Sequence, residues 1–142
     1  MTNPDIFEVE LRDVYNYRLS YGGQSAYFRG LERGKLLASK CTHCGFVWLP
    51  FRPTCSKCYN EVDGLELTGE GEILTSLELG APPPRLRHVK SPVASALIHL
   101  DGADTCIKAM VVSRSGFGKG RRVKAKYMAK IKTIADFYFI TI

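Results

Sequence analysis

The sequence predicts a mainly β protein in three parts: an N-terminal helical arm, a metal-binding ribbon and a five-stranded barrel. Three observations carry this reading. Four of the five cysteines fall within "CTHCGFVWLPFRPTCSKC", Cys41 to Cys58, as two C-x-x-C pairs ten residues apart. After residue 60, short runs alternate apolar and polar side chains between turn residues, the period of strands. Before residue 38, apolar positions recur instead at helical spacing. The expected boundaries are 1–37 for the arm, 38–60 for the ribbon and 61–142 for the barrel.

Within the arm, Leu11, Val14, Tyr15 and Leu19, with the stem of Arg18, line one face of an expected helix. "YGG", Tyr21 to Gly23, is expected to end it, because glycine accepts the left-handed turn of a helix stop. A second short helical segment, "SAYFRGLERGKLL", then leads into the cysteines. Tyr15, Tyr17, Tyr21, Tyr27 and Phe28 make the arm aromatic. A segment this short cannot build a core alone, so it must pack on its own domain or on a partner chain.

Each C-x-x-C pair is expected on a tight turn, with Gly45 relieving the backbone after the first. The intervening "FVWLPFR" reads as a strand ending at Pro50. Four thiolates in two such turns make a tetrahedral cage for one ion, with metal–sulfur distances near ~2.3 Å for zinc. Structural Zn2+ held by Cys41, Cys44, Cys55 and Cys58 is the expectation, and spacing alone leaves a rubredoxin-like iron site open. With sulfur in all four positions the ion has no place for water or substrate, which points away from metal catalysis. His43 is surplus to the cage and expected exposed, and Cys106, in a strand, is expected to be a small buried hydrophobe.

In the barrel zone, "ELTGEGEILTSLEL" places Ile73, Thr75, Leu77 and Leu79 on one face by period two. "PVASALIHL" and "DTCIKAMVV" flank Asp101–Gly102, a hairpin signal. "RRVKAKYMAKI" turns Val123, Ala125 and Tyr127 inward, and "DFYFITI" closes the chain. Five short strands in about eighty residues suit a closed OB barrel. "APPPRLRHVKSP" is an extended loop between its first two strands, since proline cannot donate to a ladder.

The chain has 142 residues, 45% hydrophobic and 24% charged, the composition of a globular protein rather than a disordered one. "MTNPDIFEVE" has no basic lead-in and no apolar run follows, unlike a secretory signal. No window approaches the ~18 apolar residues of a membrane span. A cytoplasmic, reducing location is therefore expected, where paired cysteines more often hold metal than form disulfides. The net charge is +6, and from Lys108 to Lys132 lie nine of the twenty basic residues and none of the fourteen acids. A one-signed stretch suits either an anionic partner or a solvated strand face.

No catalytic pairing stands out. His88 and His99 sit near no nucleophile pattern, and "SGFGKG", Ser115 to Gly120, lacks the full phosphate-loop motif and lies between strands. It reads as a glycine loop joining the third and fourth barrel strands, and Asp101 and Asp104 read as turn residues.

The run from Tyr27 to Cys58 resembles the DUF35 family, the ChsH2-type zinc-ribbon and OB-fold proteins associated with thiolases. Gly34, Lys35, Leu36, Cys41, Cys44, Gly45, Pro50, Arg52, Cys55 and Cys58 fall on its pattern, and the barrel motifs extend the similarity over nearly the whole chain. The resemblance implies a non-catalytic accessory subunit of an acyl-CoA-processing complex. Its partner would be a thiolase-superfamily enzyme, a similar acyltransferase or a MaoC-like hydratase, and its role assembly and acyl-CoA binding or passage. On charge alone, Arg85, Arg87, Lys119, Arg121 and Arg122 are candidates for the phosphates of coenzyme A. The competing reading is a nucleic-acid binder, since zinc ribbons and OB barrels serve there and the pI is near 9.1. Against it, the basic strand carries one aromatic, Tyr127, expected to point inward. A third reading is a ligand-free scaffold.

Overall fold

The computed structural model describes residues 4–134 and 136–142. Among these residues two sheets and one α-helix form around a shared core. The first sheet has strands β1 (Leu36–Cys41), β2 (Val47–Trp48) and β3 (Val62–Leu67) in the order β2-β1-β3, all antiparallel. The second is a closed barrel of β4 (Glu70–Glu78), β5 (Val93–Leu100), β6 (Cys106–Val112), β7 (Arg122–Tyr127) and β8 (Phe137–Thr141). Its ring order is β4-β5-β6-β8-β7, with the last two strands exchanged and β6 pairing parallel to β8. This is the OB-like barrel that the strand count predicts.

The barrel interior is filled by alternate residues of each strand, among them Ile73, Ile98, Leu100, Val111, Val123 and Phe139, all fully buried. Val123 faces inward as expected, and Ala125 and Tyr127 pack against the same core. The β4 face departs from the expectation. Ile73 is buried, but Thr75 and Leu77 are exposed, because the register with β5 shifts between Ile73 and Thr75. One extra residue in a strand turns every later side chain to the opposite face.

The first sheet is not a separate body. Leu36, Ala38, Val47, Leu49 and Leu67 belong to the same buried cluster as the barrel residues. Only Thr68 and Gly69 separate β3 from β4. The β5–β6 hairpin forms at Asp101–Gly102, with a connection of five residues, and its tip holds the first sheet in place. The Asp104 carboxylate accepts the Val47 N–H at 2.8 Å. The Thr105 hydroxyl accepts the Leu49 N–H at 2.9 Å and donates to the Leu49 carbonyl at 3.0 Å. Asp104 is thus more than a turn residue. These bonds satisfy the outer edge of β2, whose own pairing covers two residues of β1.

Among the described residues the single α-helix, α1, is Ser25–Glu32, within the second helical segment expected. Tyr27, Gly30 and Leu31 face the core at i, i+3 and i+4, and the Tyr27 hydroxyl donates to the Ile134 carbonyl at 3.2 Å. Gly34, with φ of +68°, follows it as the left-handed stop, its N–H bonded to the Leu31 carbonyl at 3.0 Å. The helix expected over Leu11–Leu19 does not form, and Tyr21–Gly23 lies at the entry to α1 rather than at a helix end. Residues 4–20 carry no helix or strand, and every one of them is exposed. Leu11, Val14 and Leu19 stay 71–80% exposed, with Leu19 at the border of a groove it shares with Phe28 and Ile131, and helices of this length take most of their stability from closer packing than this.

The proline-rich connection from β4 to β5 is a loop, as expected, containing a 3-10 turn at Pro84–Leu86. Leu86 is fully buried and anchors it, packing with Val93 and Val112. No described helix is long and apolar enough to cross a membrane.

Candidate metal centre

Two turns build the site. β1 ends at Cys41, the chain turns through Thr42–Gly45, and β2 returns beside it. The Gly45 N–H bonds to the Cys41 carbonyl at 3.1 Å, and Gly45 adopts a φ of +74°. The second turn repeats this from Cys55 to Tyr59, with the Tyr59 N–H on the Cys55 carbonyl at 2.9 Å. The four sulfurs of Cys41, Cys44, Cys55 and Cys58 come within 4.8 Å of one another. Cys41 Sγ lies 3.4 Å from Cys58 Sγ, and Cys44 Sγ 3.7 Å from Cys55 Sγ. Sulfurs at tetrahedral corners ~2.3 Å from one ion would stand about 3.8 Å apart, so the donor set fits a single four-coordinate ion.

The surroundings suit sulfur in its charged form. The backbone N–H groups of His43 and Cys44 each approach Cys41 Sγ at 3.4 Å, and the Trp48 indole N–H approaches Cys55 Sγ at the same distance. Burial opposes ionisation of Cys55. The Trp48 indole and the N–H groups of Cys58 and Lys57 outweigh it and bring the thiol down to about 6. Asn60, through its side chain and then its N–H, holds the Cys58 thiol below its usual value. Cys44 goes the other way. The Phe46 N–H lowers it, but desolvation and the neighbouring sulfurs prevail and push it up to about 11. Four like charges cannot all form in one small cage without a cation to balance them.

Cations border the cage on aromatic faces. The Arg52 guanidinium sits 4.6 Å from the centre of the Trp48 ring, and the Lys57 ammonium 4.5 Å from that of Phe46. Four thiolates around a divalent ion leave net negative charge, which these cations and N–H groups offset.

Tyr59 occupies in the second turn the place Gly45 holds in the first, with a φ of +60°. A left-handed backbone costs a side-chain-bearing residue roughly 1–2 kcal/mol, and this side chain is 82% exposed, with little packing to lose. Tyr59→Gly is therefore expected to stabilise the ribbon, by about 0.5 kcal/mol once the greater freedom of unfolded glycine is set against the relief. Metal loss to a chelator should slow by roughly twofold.

His43 is exposed, as expected. Cys106 is exposed rather than buried: it opens β6 at the barrel rim, where its side chain points away from the core. The five basic candidates do not form one cluster among the described residues. Arg85 Nη1 lies 3.4 Å from an Asp136 carboxylate oxygen, while Arg121 bonds to the Ser115 hydroxyl and carbonyl at 3.0 and 2.7 Å. Arg122 is paired with both carboxylate oxygens of Asp101 and lies 3.8 Å from Glu70. Lys119 and Arg87 are exposed. A pocket beside Arg85 is lined by Lys108, Ala109, Met110 and Phe137, and by none of the other four. Sequence reasoning missed Trp48, Arg52 and Asp104 as supports of the ribbon. The first two lie between the cysteine pairs, but Asp104 acts across 57 residues of chain with no local signal.

Residues 28–63 match the family model described as the ChsH2, rubredoxin-like zinc ribbon domain. Over that stretch the chain is similar to the ChsH2-type ribbon. The resemblance to the DUF35 family is borne out. A DUF35 domain-containing scaffold protein of Methanocaldococcus jannaschii is 31% identical over 72 residues, covering 49% of this chain and 50% of that protein. The chain spans about half the length of the curated relative it matches. Among solved structures, a DUF35-family protein of Sulfolobus solfataricus superposes with a TM-score of 0.62 at 17% identity, covering 87% of each chain. A chain of the Ltp2–ChsH2(DUF35) aldolase superposes with a TM-score of 0.63 at 17% identity, covering 88% of this chain and 97% of that one. At such identity the likeness is one of fold.

Proposed function

We propose that this chain is a non-catalytic accessory subunit, loaded with structural zinc at Cys41, Cys44, Cys55 and Cys58, of an acyl-CoA-processing complex. Its partner is a thiolase-superfamily enzyme, and its role is assembly of the complex and binding or passage of acyl-CoA. The observation that carries the reading is the pairing of a saturated sulfur cage with a long exposed apolar arm. All four thiols face one point, which leaves such an ion nothing to offer a substrate. Phe7, Leu11 and Tyr17, each at least 78% exposed, need a surface to cover them. The name of the archaeal relative, a scaffold protein, and the occurrence of the DUF35 fold in the Ltp2–ChsH2 aldolase support the same reading.

For coenzyme A, the reading uses Arg87 and Lys119, which are exposed, and Arg85, Arg121 and Arg122, whose present partners would have to yield. The nucleic-acid alternative has less support. Among the described residues the exposed aromatics are Phe7, Tyr15, Tyr17, Tyr21 and Tyr59, and none of them is on the barrel, where bases would stack.

The test is purification of the tagged chain from its source with identification of what accompanies it. An acyl-CoA enzyme in fixed ratio is expected, with about one zinc per chain and no turnover by the isolated chain. Persistent nucleic acid, seen as a high ratio of absorbance at 260 to 280 nm, or thiolytic turnover by the lone chain, would overturn the reading.

A further inference from the structure

The exposed arm has a pattern of its own. Phe7, Val9, Leu11, Tyr15, Tyr17 and Leu19 all fall on odd positions, while Glu8, Glu10, Arg12, Asn16 and Arg18 fall between them. That is the period of a strand with one apolar face, interrupted at Ile6 and at the Asp13–Val14 pair and otherwise kept on both sides of it. Phe7 is 92% exposed, and no backbone hydrogen bond joins residues 6–20 to any described residue. A single strand in water has no partner for its N–H and C=O groups and nothing over its apolar face, so it is complete only against another sheet.

A second copy of this chain fits poorly as that partner. Its barrel is a closed ring in which every strand has a neighbour on each side, and the stretch of β6 not paired with β8, Cys106–Met110, is only five residues long. In the first sheet the outer edge of β2 is occupied by Asp104 and Thr105. The outer edge of β3 spans six residues and is bordered by Glu61, Asp63 and Glu66. The arm carries Asp5, Glu8, Glu10 and Asp13 against Arg12 and Arg18, so like charges would meet there. Fifteen extended residues also reach about 50 Å, more than twice a six-residue edge.

We propose that residues 6–20 are a donated strand, which pairs in extended form with a free sheet edge of the non-identical partner subunit, on a surface apolar at its centre, cationic where it meets Glu8 and Glu10 and anionic where it meets Arg12 and Arg18. This rests on the accessory-subunit reading above and specifies how that subunit is held. The odd apolar residues fill pockets along the edge, and Glu8 and Glu10 meet the cationic part of the rim.

Two substitutions separate a strand from a helix formed on docking. Tyr17 lies on the strand face but off the helical stripe of Leu11, Val14 and Tyr15, and Val14 lies on that stripe but off the strand face. The partner subunit, recovered from the complex purified from source, is titrated with full-length chain, Tyr17→Asp and Val14→Asp. Donation as a strand predicts at least tenfold weaker binding for Tyr17→Asp and a change within about twofold for Val14→Asp. The opposite order would mean a docked helix and would overturn the proposal. Unchanged binding by both, in an intact complex, would overturn the donated strand while leaving the accessory-subunit reading in place. So would arm-dependent self-association of the lone chain in sedimentation. A purification that yields no partner subunit would overturn both.

Discussion

Cys41→Ser is expected to empty the metal site and melt both knuckles while the barrel ladder persists. Cys41 is 2% exposed, ends β1, and accepts the N–H groups of His43 and Cys44. Some twenty residues between β1 and β3 hold two short turns and few apolar contacts of their own, so a bound metal is expected to supply most of their folding free energy. For zinc sites of this type that contribution is on the order of 10 kcal/mol. Elemental analysis should fall from about one ion per chain to a small fraction of that. Hydrogen exchange should accelerate from Thr42 to Glu61 and stay slow in β5 and β6. Because Val47 and Leu49 belong to the common core, the barrel should also melt at a lower temperature than in the parent. Full metal content in the variant would remove Cys41 from the ligand set.

Gly71→Ala carries the other large expected effect. Gly71 sits where β4 is bonded on both sides, opposite Leu100 of β5 and Val123 of β7. A Cβ there would overlap the His99 carbonyl oxygen and lie 3.0 Å from the Leu100 Cα. Both are backbone atoms, so no side-chain rotation relieves the overlap, and two strands of a closed ring must part. Overpacking of this kind costs about 3 kcal/mol, or roughly 10 °C in melting temperature for a chain of this size. Thermal melting followed by circular dichroism reads the loss, with metal content unchanged. A shift under about 2 °C would mean that β4 and β5 separate more easily than their seven paired positions imply.

What the sequence discloses divides by range. The cage was legible because both halves of its chemistry lie within eighteen residues of chain, and the barrel because strands announce themselves by local alternation. The failures arose where a distant contact or a one-residue slip decided the outcome. Thr75 and Leu77 kept their period but lost their face to the bulge after Ile73. Cys106 has the local context of a core residue and the placement of a rim residue. The arm is the instructive case. Leu11, Val14, Tyr15 and Leu19 do have helical spacing, and Phe7, Val9, Leu11, Tyr15, Tyr17 and Leu19 do have strand spacing. Both periods coexist, and without a surface to pack against the segment adopts neither. Arg122 shows the same limit for charge: its sequence neighbours are basic, yet in the fold it answers to Asp101 and Glu70.

The closed ring of strands also governs behaviour at high concentration. Fibrils and strand-exchanged aggregates grow by adding chains to an open rim, and here every strand of the larger sheet has a neighbour on each side, the longest gap along β6 being five residues. Of the two rims on the smaller sheet, one is sealed by a hairpin tip and the other is short and lined with carboxylates. Storage and expression hazards should therefore concentrate in the first twenty residues, and trimming them should make the protein markedly easier to concentrate.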